Sequence, residues 1–228
     1  MRQKKARSLK NTIAIIVDGE DEKWYMEKVK EYYPSSSLKG MCVKPEFPHR
    51  KKVDDLFAFA KEKVQLEYCF VLLILDMDII LKDTSEFEKF KKYYKGYMSA
   101  KAGTLSPRQK STYNWMAKLR LIINSPCLEF WYLLHYSKTT KFFADYEELK
   151  PIIRRQPNLK EYEKCETYYK NSPDIFVRLG GLDGLEIARQ NAKIFSLDEA
   201  KTKGLSEMNL IFDLFDELDA KDSVKNLA

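Results

Sequence analysis

Apolar runs alternate with amphipathic segments along the first half of the chain. The runs TIAIIV, GMCVKPEF and CFVLLIL predict strands, and the last of them is apolar on both faces, as in a central parallel strand. The segments DEKWYMEKVKEYY and KKVDDLFAFAKEKV predict helices between these strands. Alternation of this kind is typical of βαβ units around a parallel sheet. The second helix places its apolar residues on one face: Val53, Leu56, Phe57, Ala60 and Val64.

The next segments predict one more helix, a loop, a strand and a further helix. DTSEFEKFKKYY predicts a helix in which Ser85 and Glu88 have capping-box spacing, and SAKAGTLSPRQKS predicts a polar loop. KLRLIIN predicts a fourth strand. SPCLEFWYLLHY predicts a helix with Ser125 as its cap and Pro126 at its first position.

Together these patterns predict an α/β fold with a mostly parallel central sheet flanked by helices. We assign residues 1–10 to a basic tail, residues 11–137 to the α/β core, and residues 138–228 to a helical C-terminal part packed on that core. The 228-residue chain is long enough for one such core with an accessory part.

Composition indicates a globular protein that is not embedded in a membrane. Charged residues make up 32% of the chain, and the mean hydropathy is −0.49. The run TIAIIV ends at Asp18 without a small-residue cleavage site, so we interpret it as a strand and not as a signal peptide. The four cysteines lack C-x-x-C spacing, which argues against zinc and disulfide frameworks and favours a reducing cytoplasm.

Charge is unevenly distributed along the chain, although the net charge is only +6. No acidic residue occurs from Lys89 to Arg120, whereas the segment after Leu197 is rich in Asp and Glu. Lysines interleaved with aromatic residues are typical of nucleic-acid contact surfaces, although a solvated helix face with a loop has the same pattern. The predicted nucleic-acid-binding residues are Lys89, Lys92, Lys95, Lys101, Arg108 and Lys110.

Acidic residues follow two of the predicted strands. Asp76 and Asp78 come after CFVLLIL, and they point to the same side if the strand continues through Met77. Because ligands of open parallel sheets bind beyond the carboxyl ends of the strands, these acids would meet those that follow the first strand. The acids after the first strand are Asp18, Glu20, Asp21 and Glu22.

Carboxylates that lie close together repel one another, so such a cluster needs something that offsets the repulsion. Two carboxylates about 4 Å apart repel by roughly 4 kcal/mol at an effective dielectric constant near 20. A bound Mg²⁺ or Mn²⁺ would offset that repulsion and would suit phosphodiester chemistry. The competing interpretation is that these acids are helix caps or solvated loop residues.

Three segments together resemble the RloB family, which has a Toprim-like fold and is related to AbiL-type abortive infection proteins. They are IIVDGEDEKWYMEKV, LLILDMD and INSPCLEFWYLLHY, and the last matches an Asn-x-Pro-Cys-x-Glu-x-Trp pattern that leads to a Leu-Leu-His, from Asn124 to His135. The resemblance implies a metal-dependent nuclease associated with restriction or phage defence.

The resemblance also implies roles for single residues. Asp18, Glu22 and Glu129 correspond to catalytic acids, and Asp18, Glu22, Asp76 and Asp78 correspond to metal ligands. Asp18 departs from the family pattern, which has glutamate there. A side chain one methylene shorter can shift a ligand by about 1 Å, and a shift of that size can cost about a hundredfold in rate.

Two hypotheses for the function therefore stay open. The first is a Mg²⁺-dependent nuclease that cleaves DNA or RNA in phage defence. The second is a catalytically weak nucleic-acid-binding or effector subunit regulated by a partner ATPase. A homo-oligomeric assembly is compatible with either hypothesis. Cys127 and His135 fit packing roles better than catalytic ones, because the sequence places no base beside Cys127 and His135 ends an apolar helix.

Overall fold

A five-stranded sheet forms the centre of the molecule. The computed structural model describes residues 12–17, 19–35, 42–46, 48, 52–66, 68 and 70–225. Within these residues the strands lie in the order β2-β1-β3-β4-β5, and all neighbouring pairs are parallel except β4 with β5. The strands are β1 (Thr12–Ile16), β2 (Cys42–Glu46), β3 (Phe70–Asp76), β4 (Leu119–Ser125) and β5 (Leu205–Ser206).

Helices cover both faces of this sheet and form most of the C-terminal part. The helices of the first half are α1 (Glu20–Tyr32), α2 (Val53–Gln65), α3 (Met77–Lys82), α4 (Thr84–Ala102), α5 (Pro107–Tyr113) and α6 (Glu129–Leu134). Those of the C-terminal part are α7 (Tyr146–Ile153), α8 (Glu166–Lys170), α9 (Ile175–Arg178), α10 (Gly181–Asn191) and α11 (Asn209–Lys225). The fold is therefore mixed α/β with a mostly parallel sheet and a helical C-terminus, as predicted.

Two apolar clusters pack against the two faces of the sheet. Successive side chains of a strand point to opposite faces, so Leu72 and Ile74 of β3 join one cluster while Leu73 and Leu75 join the other. The first cluster also contains residues of α1, α6 and α11, and the second contains residues of α2, α3 and α4. The predicted apolar face of α2 is buried throughout.

The strand order places a binding crevice between β1 and β3. The chain leaves β1 toward β2 on one side and then returns to the other side of β1 to form β3. Ligands of open parallel sheets bind where the strand order reverses, outside the carboxyl ends of the strands. Residues that follow β1 and β3 therefore meet at this crevice.

Several local predictions were wrong at element boundaries. Ser125 is the last residue of β4 and not a helix cap, because the following helix begins only at Glu129. Helix α4 is capped by Asp83, whose Oδ1 accepts the N–H groups of Ser85 and Glu86 at 2.8 and 3.2 Å. The predicted polar loop lies in α4, α5 and the turn between them, and Ser106 caps α5 in a capping box with Gln109.

The C-terminal part shares the core of the first half. Leu205 of β5 and Phe195 belong to the second cluster, and Phe212 of α11 belongs to the first. β5 lies beyond β4 in the sheet, a strand that the helical pattern of this region did not predict. No helix in the described ranges is both long and apolar enough to cross a membrane.

Candidate functional site

Four acidic side chains line a small pocket at the carboxyl ends of β1 and β3. The pocket encloses about 170 Å³. The described residues that line it come from four separate parts of the chain. The pocket is lined by Gly19, Asp21, Glu22, Asp76, Asp78, Ile79, Cys127 and Lys164.

The first turn of α1 presents Asp21 and Glu22 to the pocket. Glu22 Oε2 accepts the N–H of Gly19 at 2.8 Å, so Glu22 also caps the helix that carries it. The Glu22 side chain is buried, with 2% exposed. A Cβ atom at position 19 would lie 2.4 Å from Asp21 Oδ1 and 2.8 Å from Glu22 Oε2, so a larger residue there would require these carboxylates to shift.

Asp76 is the last residue of β3 and is held by β4 and the segment after it. Its Oδ1 accepts Asn124 Nδ2–H at 3.2 Å, and its Oδ2 accepts the N–H of Leu128 at 3.3 Å. Asp76 precedes α3, yet its side chain makes no capping hydrogen bond. These contacts fix the carboxylate at the pocket and argue against the interpretation of Asp76 as a helix cap.

Asp78 reaches the same pocket by a different route from the one predicted. The strand does not continue through Met77, because α3 begins at that residue. The N–H groups of Met77 and Asp78 both donate to the carbonyl of Pro126, at 2.8 and 3.0 Å. This junction between β3 and the segment after β4 brings Asp78 beside Asp76 without a continuous strand.

The negative charge on each acidic side chain of the pocket disfavours ionisation of the others. Burial raises the pKa of Glu22 well above its ordinary value, and the charges of Asp76 and Asp21 raise it further. Burial also raises the pKa of Asp76, and the charges of Asp21, Glu129 and Asp78 add to this effect, while Lys164 acts in the opposite direction. A bound cation, or a proton on one of the carboxyl groups, would relieve this repulsion.

Glu129 and Lys164 form a buried ion pair at the edge of the pocket. Glu129 has no exposed surface, and its Oε1 contacts Lys164 Nζ at 2.9 Å and accepts the hydroxyl of Tyr162 at 2.6 Å. Lys164 Nζ also contacts Asp21 Oδ2 at 3.0 Å. Burial alone would lower the pKa of Lys164, but the Glu129 and Asp21 carboxylates raise it above its ordinary value. Lys164 therefore brings a positive charge from the C-terminal part to the acidic pocket.

The donor chemistry of the pocket fits Mg²⁺, although the described residues do not form a complete ligand set. Carboxylate oxygens are the ligands that Mg²⁺ prefers. In the described part of the chain, no group of three or more His, Cys, Asp or Glu side chains is placed to hold a metal ion. Asp18, a predicted catalytic residue and ligand, lies outside the described residues. Glu20 is exposed, pairs with Lys23 and is not among the described residues that line the pocket.

Comparison of the sequence with known proteins assigns the chain to a family. The sequence model of the RloB-like protein family matches residues 13–217. The chain belongs to the RloB-like family. No curated protein and no solved structure matches the chain. The match spans every described residue that lines the pocket, so the RloB-like region contains the whole candidate site.

Cys127 and His135 of the RloB-like segment are both buried. Cys127 lines the pocket but is buried, and burial together with the charges of Glu129 and Asp76 raises the pKa of its thiol well above the ordinary value. A thiol with a raised pKa is a poor nucleophile. His135 is also buried, and burial lowers its pKa to about 4. Trp131 and Tyr132 of the same segment are fully buried.

The predicted nucleic-acid-binding residues lie along α4 and α5, and none of them is among the described residues that line the pocket. Helix α4 begins next to α3 and has 19 residues, a length of about 28 Å. At its far end Lys101 Nζ donates to the carbonyl of Ala117, just before β4 begins. Because β3 and β4 are parallel, Lys101 lies toward the amino ends of the strands, whereas the pocket lies at their carboxyl ends.

The side chains of this basic segment differ in their partners. Lys89 pairs with Asp54 and Glu86 at 2.9 Å each. Lys101 is exposed as a whole, but partial burial of its ammonium group lowers its pKa to about 8, and the charge of Arg120 contributes. Lys92, Lys95, Arg108 and Lys110 are exposed as well. A nucleic-acid-binding role for the set stays a prediction.

Sequence reasoning missed three residues that shape the site. Lys164 and Tyr162 lie in a region whose pattern predicted only a helix, and no local signal linked them to the acids near residue 20. Asn124 begins the segment that resembles the RloB family, and that segment was the available signal for its contact with Asp76. Asn124 also accepts the hydroxyl of Ser206 in β5 at 2.7 Å, which ties the site to the C-terminal part.

Proposed function

We propose that this protein is a Mg²⁺-dependent nuclease of the Toprim type that cleaves phosphodiester bonds in DNA or RNA. The observation that carries the proposal is the convergence of acids from two strand ends on one pocket. Asp21 and Glu22 follow β1, Asp76 and Asp78 follow β3, and all four line the same 170 Å³ pocket at the switch point of the sheet. Membership of the RloB-like family supports a role in phage defence through the resemblance described above.

The proposed ligands of Mg²⁺ are Glu22, Asp76 and Asp78, together with Asp18. When bound, Mg²⁺ would supply Lewis-acid polarisation of a phosphate oxygen and would make water a better nucleophile. The protein contributes the orientation of these carboxylates. Asn124 and the backbone of Leu128 hold Asp76 in place.

Glu129 has a role in this proposal that differs from the catalytic acid implied by the resemblance. Its carboxylate is fully buried, contacts Lys164 and Tyr162, and is not among the residues that line the pocket. We assign it the positioning of Lys164. A residue that acts through another in this way does not touch the reacting phosphate.

The decisive experiment compares two Asp→Asn variants that differ in location. Asp76→Asn removes a pocket carboxylate, whereas Asp83→Asn changes an exposed cap of α4, where asparagine caps equally well. Labelled single-stranded DNA, double-stranded DNA and RNA are incubated with each protein in Mg²⁺, Mn²⁺ or EDTA. We expect cleavage by the wild type and by Asp83→Asn in Mg²⁺ or Mn²⁺, and none by Asp76→Asn. Cleavage in EDTA, or unaltered cleavage by Asp76→Asn, would rule the mechanism out.

The second hypothesis has one structural observation in its favour. The described carboxylates do not by themselves complete a metal site, and Lys164 pairs with two of the acids around the pocket. A catalytically weak subunit that binds nucleic acid and is activated by a partner ATPase would fit such a site. The negative charge of the C-terminal helix adds little support for a partner protein, because Asp213 and Asp216 already form intramolecular ion pairs with Arg189.

Two measurements separate the hypotheses. Binding of Mn²⁺ to the isolated protein, followed by electron paramagnetic resonance, tests the metal site without requiring turnover. A nuclease should bind Mn²⁺ and cut nucleic acid alone, whereas an effector subunit should remain inactive until its ATPase is added. Cleavage by the isolated protein, lost in Asp76→Asn, would reject the second hypothesis.

A further inference from the structure

We propose that Lys164 binds the phosphate group of the substrate in the acidic pocket, and that Glu129 positions it for this contact. This inference rests on the proposed function, because it assigns the residue that receives the nucleic-acid backbone at the same site. Lys164 lies in the C-terminal part, far in sequence from both groups of acids. The assignment therefore makes the C-terminal part a component of the site.

The geometry around Lys164 is that of a fixed cation. Its Nζ contacts Glu129 Oε1 at 2.9 Å and Asp21 Oδ2 at 3.0 Å, and it lies 4.4 Å from the centre of the Tyr146 ring. Two carboxylates on different elements and one aromatic face restrict where the ammonium group can lie. About a third of the side chain remains exposed, at 35%, so a ligand in the pocket can reach it.

A chain of buried tyrosine hydroxyl groups holds the Glu129 carboxylate. Tyr132 donates to the Tyr169 hydroxyl at 3.2 Å, the hydroxyls of Tyr169 and Tyr162 are 2.6 Å apart, and Tyr162 donates to Glu129 Oε1 at 2.6 Å. All three tyrosines are fully or almost fully buried. A carboxylate anchored by such a network fixes the position of any cation that pairs with it.

The electrostatics of the pocket require a positive group for an anionic substrate. Among the described residues that line the pocket, Lys164 is the positively charged one, and four are acidic. A phosphate entering beside the carboxylates would be repelled unless cations receive it. An ammonium group has three N–H donors, and Asp21 and Glu129 account for two of them within the described residues, which leaves one for a phosphate oxygen.

A purely structural lysine would have the same two ion pairs, so the test must measure phosphate binding. The probe is a short fluorescein-labelled oligonucleotide with phosphorothioate linkages, prepared as DNA and as RNA, and binding is followed by fluorescence anisotropy in Ca²⁺. Wild type is compared with Lys164→Met, Lys164→Arg and the control Lys160→Met, which removes an equal charge from an exposed position near Lys164 that does not line the acidic pocket.

We expect Lys164→Met to weaken binding at least about tenfold, which is the loss of one charge-assisted hydrogen bond, and to lower the salt slope of binding by about one. Lys164→Arg should retain most of the affinity because it keeps the charge, and Lys160→Met should bind like the wild type. Since Lys164→Met leaves buried carboxylates unpaired, the double variant Glu129→Gln/Lys164→Met serves as a second test with less uncompensated charge. It should show the same loss of affinity.

The outcomes separate this inference from the proposed function. Equal affinity of wild type and of a folded Lys164→Met or double variant would overturn the inference, even if Asp76→Asn abolishes cleavage. A wild type that binds neither oligonucleotide would also overturn it. If the loss of affinity is observed in a protein that neither binds Mn²⁺ nor cleaves, Lys164 is confirmed as a phosphate-binding residue and the nuclease proposal is rejected.

Discussion

At the carboxyl ends of β1 and β3, four acidic side chains and one lysine share a pocket of about 170 Å³, whereas the basic side chains of α4 and α5 are spread over a long surface. Burial raises the pKa of Glu22 and Asp76, and the neighbouring negative charges of the pocket raise it further. On α4, the exposed Lys92 and Lys95 lie in solvent.

The difference teaches that burial and convergence, more than the number of charges, determine what a charged segment can do. A buried carboxylate beside like charges needs a specific partner, so its replacement has a large effect. An exposed lysine is screened by salt and contributes little by itself. Substitutions in the two regions should therefore differ by orders of magnitude, and the following experiments test that expectation from the largest effect to the smallest.

Glu22→Gln and Glu20→Gln compare a buried and an exposed glutamate within two residues of each other. Glu22 lines the pocket and is 2% exposed, whereas Glu20 is exposed and pairs with Lys23. We expect Glu22→Gln to lower the rate of cleavage by about 10²–10³-fold, the usual cost of removing one group that acts on transition-state charge. Glu20→Gln should remain within about twofold of the wild type. Equal losses in single-turnover assays of both variants would contradict the comparison.

His135 shows the effect of burial on a titratable side chain whose described hydrogen-bond partner is an uncharged carbonyl, that of Leu179. Burial lowers its pKa from 6.5 to about 4, while its hydrogen bond with Leu179 acts in the opposite direction. The unfolded state therefore binds a proton as the pH falls below 6.5 and the folded state does not, so stability present at neutral pH is lost between pH 6.5 and 4. The expected loss is about 3 kcal/mol.

The measurement is urea unfolding of wild type and His135→Phe between pH 7 and 4. The free energy of unfolding of the wild type should fall more steeply with decreasing pH than that of the variant, because the variant has no imidazole to protonate. Parallel curves for the two proteins would show that His135 does not titrate differently in the folded and unfolded states.

Tyr162→Phe tests how far the pocket depends on the hydroxyl network behind it. The substitution removes the hydrogen bond to Glu129 and breaks the link to Tyr169 in a fully buried region. We expect the free energy of unfolding to decrease by about 1–3 kcal/mol. The control is Tyr168→Phe, which removes a long, exposed hydrogen bond to the carbonyl of Asn158 and should have a smaller effect. Chemical denaturation that ranks Tyr168→Phe as the more destabilising change would refute the role of the network.

Lys92→Ala and Lys95→Ala should have the smallest effects. Both side chains are exposed on α4. If they contact phosphates, each substitution should weaken oligonucleotide binding only a few-fold and lower the salt slope by about one. An unchanged salt slope in the double variant would exclude α4 from the nucleic-acid interface.

Much of the fold follows from local patterns. The strands β1, β3 and β4 were predicted within one or two residues of their ends, because a run of apolar residues specifies a buried strand without reference to the rest of the chain. The same patterns placed Asp76 and Asp78 after one strand and Glu22 after another. The boundary of α6 was wrong, since the spacing of Ser125 and Pro126 resembles a helix start, and only the pairing of β4 with β5, in which Ser125 lies opposite Leu205, extends the strand through Ser125.

The sequence by itself therefore determined the alternation of strands and helices, the apolar faces, and the two groups of acids, because each depends on residues close together in the chain. Only the tertiary structure decided that Lys164 contacts Asp21 and Glu129, that Tyr162 holds Glu129, and that Asn124 holds Asp76. These contacts join elements that are distant in sequence, and no local periodicity specifies which of the many lysines or tyrosines the packing of the core will bring to the pocket.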